Sequence, residues 1–281
     1  MSVRRPITRW HGGKFVIAPW IISAMPPHRT YVEPFGGGAS VLMRKQPAER
    51  EVLSDLDPLA VNLYRVLADA DQSRDLAFDA WLTPYRRSVF RDIAMLAASD
   101  NPIHRARSTL IRGTMAFSSS TRSGYRDPRQ RSDRSTSPSD DWYSYRHAVP
   151  GFHRRLRSVE ILCEPAVDVM RKYDGDGTLH YVDPPYVHAT RSDATHAYAH
   201  EMTDADHRDL LSVLSGLAGM VILSGYPSPL YDDALPGWSR LTRRSLDNGA
   251  TWRTECLWLN PAAAAASPLF AQGELFEEIA A

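Results

Sequence analysis

The sequence predicts an α/β chain: a mostly parallel sheet covered by helices on both faces, interrupted by one helical insert. Three observations carry this. Short apolar runs of strand length recur near both ends of the chain and alternate with helical patterns. Two of the early runs end in a glycine turn or an acid, as strands do when they lead into a binding loop. Between about Asp69 and Val159 the strand signals stop.

Taken in order, residues 15–25 read as a helix, and 31–35 as a strand running into Gly36-Gly37-Gly38 and the start of a second helix. Residues 52–55 form the next strand. Asp57-Pro58 opens a helix to about Ala68, proline being well suited to a first helical turn. Helical patterns fill 74–98 and 102–116. From Ser118 to Asp141 the chain is rich in Ser, Arg, Asp and Pro and reads as a loop or a segment that orders on binding. Strands resume at 159–163, 179–182, 220–223 and 256–259, separated by helices at about 165–173 and 204–218. The expected organisation is a sheet domain of residues 1–68 and 160–262, an insert of 69–159, and a flexible tail of 263–281.

Composition narrows the function. A chain of 281 residues can bury a sizeable core. No apolar run approaches the ~18–20 residues of a membrane span, and no signal-peptide core follows Met1. Cys163 and Cys256 are the only cysteines and stand far apart, which suits a reducing cytoplasm and suggests neither a disulfide framework nor a cysteine zinc site. Net charge is zero, yet 101–160 holds twelve Arg against five acids. Such a segment is either a phosphate-neutralising surface or a solvated basic loop. Aromatics interleave it at Phe117, Tyr125, Trp142, Tyr143, Tyr145 and Phe152.

Chemistry concentrates at three places. Asp183-Pro184-Pro185-Tyr186 follows the apolar run 179–182. Two prolines stiffen the backbone and offer acceptors only, so a carboxylate, a carbonyl and a ring suit a planar base bearing an amino group. The glycine turn after residue 35 lets a ligand approach the backbone beside a helix start. Asp55 follows it by roughly 20 residues, the spacing at which an acid reaches ribose hydroxyls in doubly wound folds. At the N-terminus stands Arg9-Trp10-His11-Gly12-Gly13-Lys14.

These blocks, in this order, resemble the Dam-like N6-adenine-specific DNA methyltransferases. So do the later segments 199–203, 223–226 and 255–261, so the resemblance spans about residues 5 to 261. It implies a Rossmann-like S-adenosylmethionine-dependent methyltransferase sheet with a helical target-recognition insert, acting on double-stranded DNA. Bacterial or phage-encoded action in the cytoplasm is implied, as part of a restriction–modification pair or alone. It assigns the cofactor to Trp10, Lys14, Phe35, Gly36, Gly37, Asp55 and Asp183. The reaction falls to Asp183, Pro184, Pro185 and Tyr186, the last stacking on a flipped adenine. DNA contacts are expected from Arg122, Tyr125, Arg126, Arg154 and Arg155. Relatives that read GATC carry Asn-Gly-Leu-x-Arg where this chain has Ser118-Ser119-Ser120-Thr121-Arg122, so only the arginine matches. An arginine reading guanine is the commonest specific base contact.

Other functions fit less of the chain. N4-cytosine methyltransferases usually carry Ser at the head of Pro-Pro-Tyr, and no RNA-binding module is recognisable. A nicotinamide oxidoreductase would leave Asp183-Pro184-Pro185-Tyr186 unexplained, and a silent DNA-binding protein would not need it. His196 and His200 have the spacing of a helical metal pair but no evident third ligand, so no metal is expected. Residues 261–267 read as an alanine-rich linker. Beyond them, Gln272-x-x-Leu275-Phe276 is similar to peptides that dock on the bacterial sliding clamp, although the same residues also suit packing back on the domain or a free tail.

Overall fold

The apolar runs assemble into one seven-stranded sheet in a computed structural model that describes residues 3, 5–117, 124–129, 137–190, 200–246 and 252–271. The strands are β1 (Thr30–Glu33), β2 (Arg50–Ser54), β3 (Glu160–Leu162), β4 (Thr178–Val182), β5 (Met220–Gly225), β6 (Ser239–Leu246) and β7 (Trp252–Leu259). Their order is β3-β2-β1-β4-β5-β7-β6. The first five run parallel, while β7 is antiparallel to both its neighbours. The order reverses between β1 and β4, and a ligand crevice opens outside the carboxyl ends of strands at such a switch point.

Both faces are covered, so central strands are apolar on both sides. All five residues of β4 are buried. Leu179, Tyr181 and Ile222 join one core with helices α1 (Ala18–Ser23), α2 (Ser40–Arg44) and α3 (Pro58–Ala68). The alternate residues Val182, Val221 and Leu223 join the other, with α10 (Ala166–Tyr173), α11 (Asp204–Ser215) and α12 (Pro229–Ala234). Each fully buried aliphatic or aromatic side chain contributes roughly 1.5–3 kcal/mol.

The regular elements of the insert are helices: α4 (Ala70–Leu82), α5 (Arg87–Arg91), α6 (Ile93–Ala97), α7 (Pro102–Met115), α8 (Pro138–Ser144) and α9 (Val149–Leu156). It shares the first core, since Leu110, Ile111, Trp142 and Phe152 cluster with Leu63, Val66 and Leu67 of α3. Insert and sheet therefore pack as one body.

Several expectations are corrected. The helix expected over 15–25 is only six residues long, beginning beside Pro19 and stopping before Pro26-Pro27. The pattern over 74–98 divides into three helices: it breaks first at Thr83-Pro84, because the residue before proline disfavours helical backbone, and again at Asp92. The polar stretch ends within a helix: Ser137 caps α8 in a reciprocal box with Asp140. Trp142, Tyr145 and Phe152 are core residues no more than 1% exposed, and Trp142 Nε1 donates to Thr83 O at 2.8 Å, so they cannot meet a base. Finally, 261–267 is no linker. Asn260 caps α13 (Pro261–Ala266), Ala263 is buried, and Ser267 Oγ donates to Ala24 O at 2.9 Å. A further turn, α14 (Pro268–Ala271), follows, so the expected tail boundary at 263 moves past 271.

Candidate active site

A cavity of about 500 Å³ opens at the carboxyl ends of β1, β2 and β4, within the ~300–1,000 Å³ usual for small-molecule sites. Its walls are residues 10–14, 33–38, 55–57 and 165–167, the end of β4 from Tyr181 to Pro185, and 200–202 with the first turns of α11. The topology thus gathers Trp10, Lys14, Phe35, Gly36, Gly37, Asp55, Asp183, Pro184 and Pro185 around one space.

Each wall has a local cause. After β1 the chain must turn sharply, and Gly37 takes φ +47° while the next turn residue but one, Ala39, takes φ +50°. Left-handed backbone at alanine costs about 1–2 kcal/mol, strain of the kind that clusters at functional sites. A Cβ on Gly37 would lie 2.9 Å from Trp10 Cδ1 and Nε1, so the indole packs directly on the turn. At Gly36 a Cβ would meet Leu53, the Ser54 carbonyl and the Tyr64 hydroxyl at 3.0 Å each. The turn amides expected to greet a ligand are partly taken. Gly37 N donates to Asp55 Oδ2 at 2.7 Å and Gly36 N to Ser54 O at 2.8 Å, while Tyr64 OH donates to Gly37 O. Asp57 N donates to Asp55 Oδ1 at 2.8 Å. Each Asp55 oxygen accepts one of these bonds and has further acceptor capacity, the residue lines the cavity, and burial raises its pKa above the ordinary aspartate value.

The corner at Asp183 is an ion-pair network. Lys14 Nζ lies 3.0 Å from Asp183 Oδ1, donates to Gly12 O at 2.6 Å, and sits 4.5 Å from the centre of the Tyr186 ring. Its side chain is 5% exposed. Ser224 Oγ, at the end of β5, donates to the same Asp183 oxygen at 2.7 Å. Tyr186 OH donates to Glu255 Oε2 at 2.8 Å across 69 residues of sequence, and the Tyr186 ring packs edge-on to Tyr226 with centroids 4.6 Å apart. Burial raises the Glu255 pKa, and nearby Lys14 opposes that shift. Glu33, at the end of β1, accepts from Tyr31 OH at 2.6 Å and from Leu42 N at 2.9 Å. Burial pushes its pKa to about 8.

Tyr186 departs from expectation. Its ring is 5% exposed and does not line the cavity, because Lys14 covers a face and Tyr226 an edge. A base can stack there only after Lys14 moves. Sequence reasoning also missed Glu33, Ser224 and Glu255 as site residues. Glu33 ends β1 and lines the cavity, whereas Ser224 near the end of β5 and Glu255 within β7 reach the corner through Asp183 and Tyr186, which only the strand order brings beside them.

The insert meets this site through a strap. Arg9 Nη2 donates to Phe117 O at 2.9 Å, where Phe117 N and Gly124 O (3.0 Å) and Arg126 N and Met115 O (2.7 Å) pair the chain across an antiparallel bridge. Arg122 lies outside the described residues. Tyr125 is half-buried against Tyr85 and Phe90 with Arg87 over its ring, beside the bridge. Arg126 stands close enough to Arg9 to lower the latter's pKa, second only to burial. Arg154 is exposed. Arg155 is not a phosphate contact: its guanidinium forks onto Glu51 at 2.5 and 2.8 Å, and Lys45 joins the same carboxylate at 2.6 Å. The adjacent position on the helix simply faces inward.

His188 Nε2 lies 3.7 Å from Glu201 Oε2 beside the cavity, while His196 and Tyr198 fall outside the described residues. No described helix is long and apolar enough to cross a membrane.

Comparison with known proteins agrees with this geometry. A family model for D12 class N6 adenine-specific DNA methyltransferases matches residues 10–107 and 117–234. The DNA adenine methylase of Vibrio cholerae serotype O1 is 25% identical over 193 residues, covering 66% of each chain. The type II methyltransferase M1.LlaDCHI of Lactococcus lactis subsp. cremoris is 26% identical over 255 residues, 82% of this chain and 84% of that one. The DNA adenine methylase of Haemophilus influenzae is 34% identical over 64 residues, 22% of each chain. The family match covers well over half the sequence and takes in every wall of the cavity, and the chain belongs to the D12 class N6 adenine-specific DNA methyltransferases.

Proposed function

We propose that this protein transfers a methyl group from S-adenosylmethionine to N6 of adenine within a specific double-stranded DNA sequence, acting directly on a flipped-out base. The observation that carries the reading is the corner where Asp183 ends the switch-point strand β4 and opens onto the cavity. Asp55 and Asp183, with Asp57, Glu201, Asp206 and Asp209 at the walls, give that cavity carboxylates that suit a cationic ligand, and Trp10, Phe35, Leu56 and Val167 supply apolar wall. When bound, S-adenosylmethionine supplies an electrophilic methyl on a sulfonium. Asp55 retains acceptor capacity for a ribose diol, and Trp10, packed on the Gly37 turn, presents an apolar wall beside it.

The amine of adenine is a poor nucleophile because its lone pair is delocalised into the ring. Acceptors on its N–H bonds favour the pyramidal amine and aim the lone pair, and Asp183 with the Pro184 carbonyl fits that role. Ser224 fixes the Asp183 carboxylate from one side. Lys14 already occupies the place a target amine would take, ion-paired with Asp183 and lying on the Tyr186 ring. It acts as a stand-in that gives way when the base enters. Nitrogen then forms the new bond to the methyl carbon as the carbon–sulfur bond breaks, and the extra proton leaves to water.

Asp183→Asn keeps the shape and the Ser224 hydrogen bond while removing the charge. Loss of one preorganised charged acceptor lowers turnover by about 10²–10³-fold, with S-adenosylmethionine affinity changed only a few-fold by calorimetry. Near-normal turnover would remove Asp183 from the reaction. Docking of the tail on a sliding clamp through Gln272, Leu275 and Phe276, which lie outside the described residues, rests on sequence alone. Titration of the tail peptide against a bacterial clamp tests it.

A further inference from the structure

The last two strands make an arm that outruns the sheet. β5 pairs with β7 only from Ile222↔Leu259 to Gly225↔Cys256, whereas β6 and β7 stay paired out to Leu246↔Trp252. Residues 243–246 and 252–255 therefore project beyond the carboxyl end of β5, by roughly 13 Å at about 3.3 Å per residue. This is the edge on which the cavity opens. The arm's root touches the catalytic corner, since Glu255 holds Tyr186 and Arg243 is its cross-strand partner.

Its surface is basic and aromatic. Arg243 and Arg244 are exposed, and among the described residues neither forms an ion pair. Arg240, nearer the root, is already neutralised by Asp232 at 2.8 Å. Trp252 is 59% exposed with the Arg244 guanidinium 5.0 Å over its ring. Charges on an edge strand also discourage pairing with another chain, but a large exposed indole works against that purpose. Arginine over an aromatic face is, by contrast, a common surface for nucleic acid.

We infer that the β6–β7 arm is a second DNA-contacting element, gripping backbone phosphates on the flank of the target adenine opposite the insert. The inference rests on the reading that this chain methylates DNA. Strand order gives its position: the insert packs over α3 on one side of β4, and β6 lies three strands away on the other. At about 4.8 Å per strand that is roughly 14 Å. Phosphates along one DNA strand are spaced about 3.4 Å apart, so the arm meets the backbone about four base pairs from the flipped base.

The test is fluorescence anisotropy of a labelled 24-base-pair duplex against the full chain, from 50 to 300 mM salt. Each phosphate contact adds about 0.9 to the slope of log affinity against log salt. Changing Arg243→Ala with Arg244→Ala is expected to lower that slope by roughly two, while Arg243→Lys with Arg244→Lys retains it. Thermal unfolding of both pairs should match wild type, the positions being exposed. An unchanged slope in the alanine pair overturns the inference, as does an equal loss in both pairs, which would mean the arm's fold and not its charge was removed. A changed oligomeric state with unchanged DNA binding also overturns it, making the arginines edge guards. If the wild-type chain binds no duplex at all, the methyltransferase reading itself fails, a result distinct from the other three.

Discussion

Replacing Lys14 with methionine should cost this protein more stability than a surface lysine ever could. The ammonium is buried, 3.0 Å from a carboxylate whose side chain is 18% exposed, and Glu255 lies near enough to feel its charge. At an effective dielectric near 20 the direct attraction across 3 Å is about 5 kcal/mol. Desolvation offsets part of that, but the substitution removes only one partner and leaves carboxylates buried without a counter-ion, which typically costs about 3–5 kcal/mol. Glu255 can relieve some of this by taking up a proton, so the lower end, about 3 kcal/mol, is expected. For a chain of this size that lowers the melting temperature by roughly 6–10 °C. Thermal unfolding of Lys14→Met, Asp183→Asn and the double variant forms a cycle. The double variant should recover at least about 1.5 kcal/mol relative to the sum of the singles, since contacting groups couple. Additive losses, or a drop below about 2 °C in Lys14→Met, would show that the pair does not hold the corner together.

The neighbouring arginines of α9 should separate cleanly. Arg155→Ala removes the forked bond to Glu51, which Lys45 still neutralises, and costs about 1.5–3 kcal/mol, whereas Arg154→Ala leaves unfolding unchanged and weakens binding to any duplex; equal melting temperatures for the two variants would refute the assignment. Glu33 has a folded pKa raised to about 8, so its contribution is complete below the ordinary glutamate range and is lost as pH climbs through 8, at up to roughly 1.4 kcal/mol per unit. Glu33→Gln should flatten the decline in melting temperature between pH 6 and 8.5, and parallel profiles would count against a protonated Glu33.

Local pattern carried much of the fold. Strands of the parallel sheet are apolar on both faces, so β1, β2, β4 and β5 stand out as short runs, and proline with aspartate marks the start of α3. The glycine turn and Asp55 were legible because close backbone approach and an acid at a strand end each demand particular residues. What escaped was set by long-range partners. β6 is a polar, arginine-rich edge strand that among the described residues pairs only with β7, so its sequence lacks a continuous apolar run. Trp142 and Phe152 sit among arginines in sequence yet fill the core behind α3, because helix faces rather than composition decide burial. Arg154 and Arg155 look equivalent until one helical step of about 100° turns one outward and the other onto Glu51. Glu255 and Ser224 reach Tyr186 and Asp183 only through the strand order β4-β5-β7.

The most direct measurement is the identity of the methylated atom. Purified protein is incubated with S-adenosylmethionine and unmethylated genomic DNA, which is then digested to nucleosides for mass spectrometry and mapped by single-molecule sequencing. N6-methyladenine at one recurring sequence, absent when Asp183→Asn is used, is the predicted result. Methyl groups found on cytosine N4, or no methylated base from protein that binds both DNA and S-adenosylmethionine, would contradict the account.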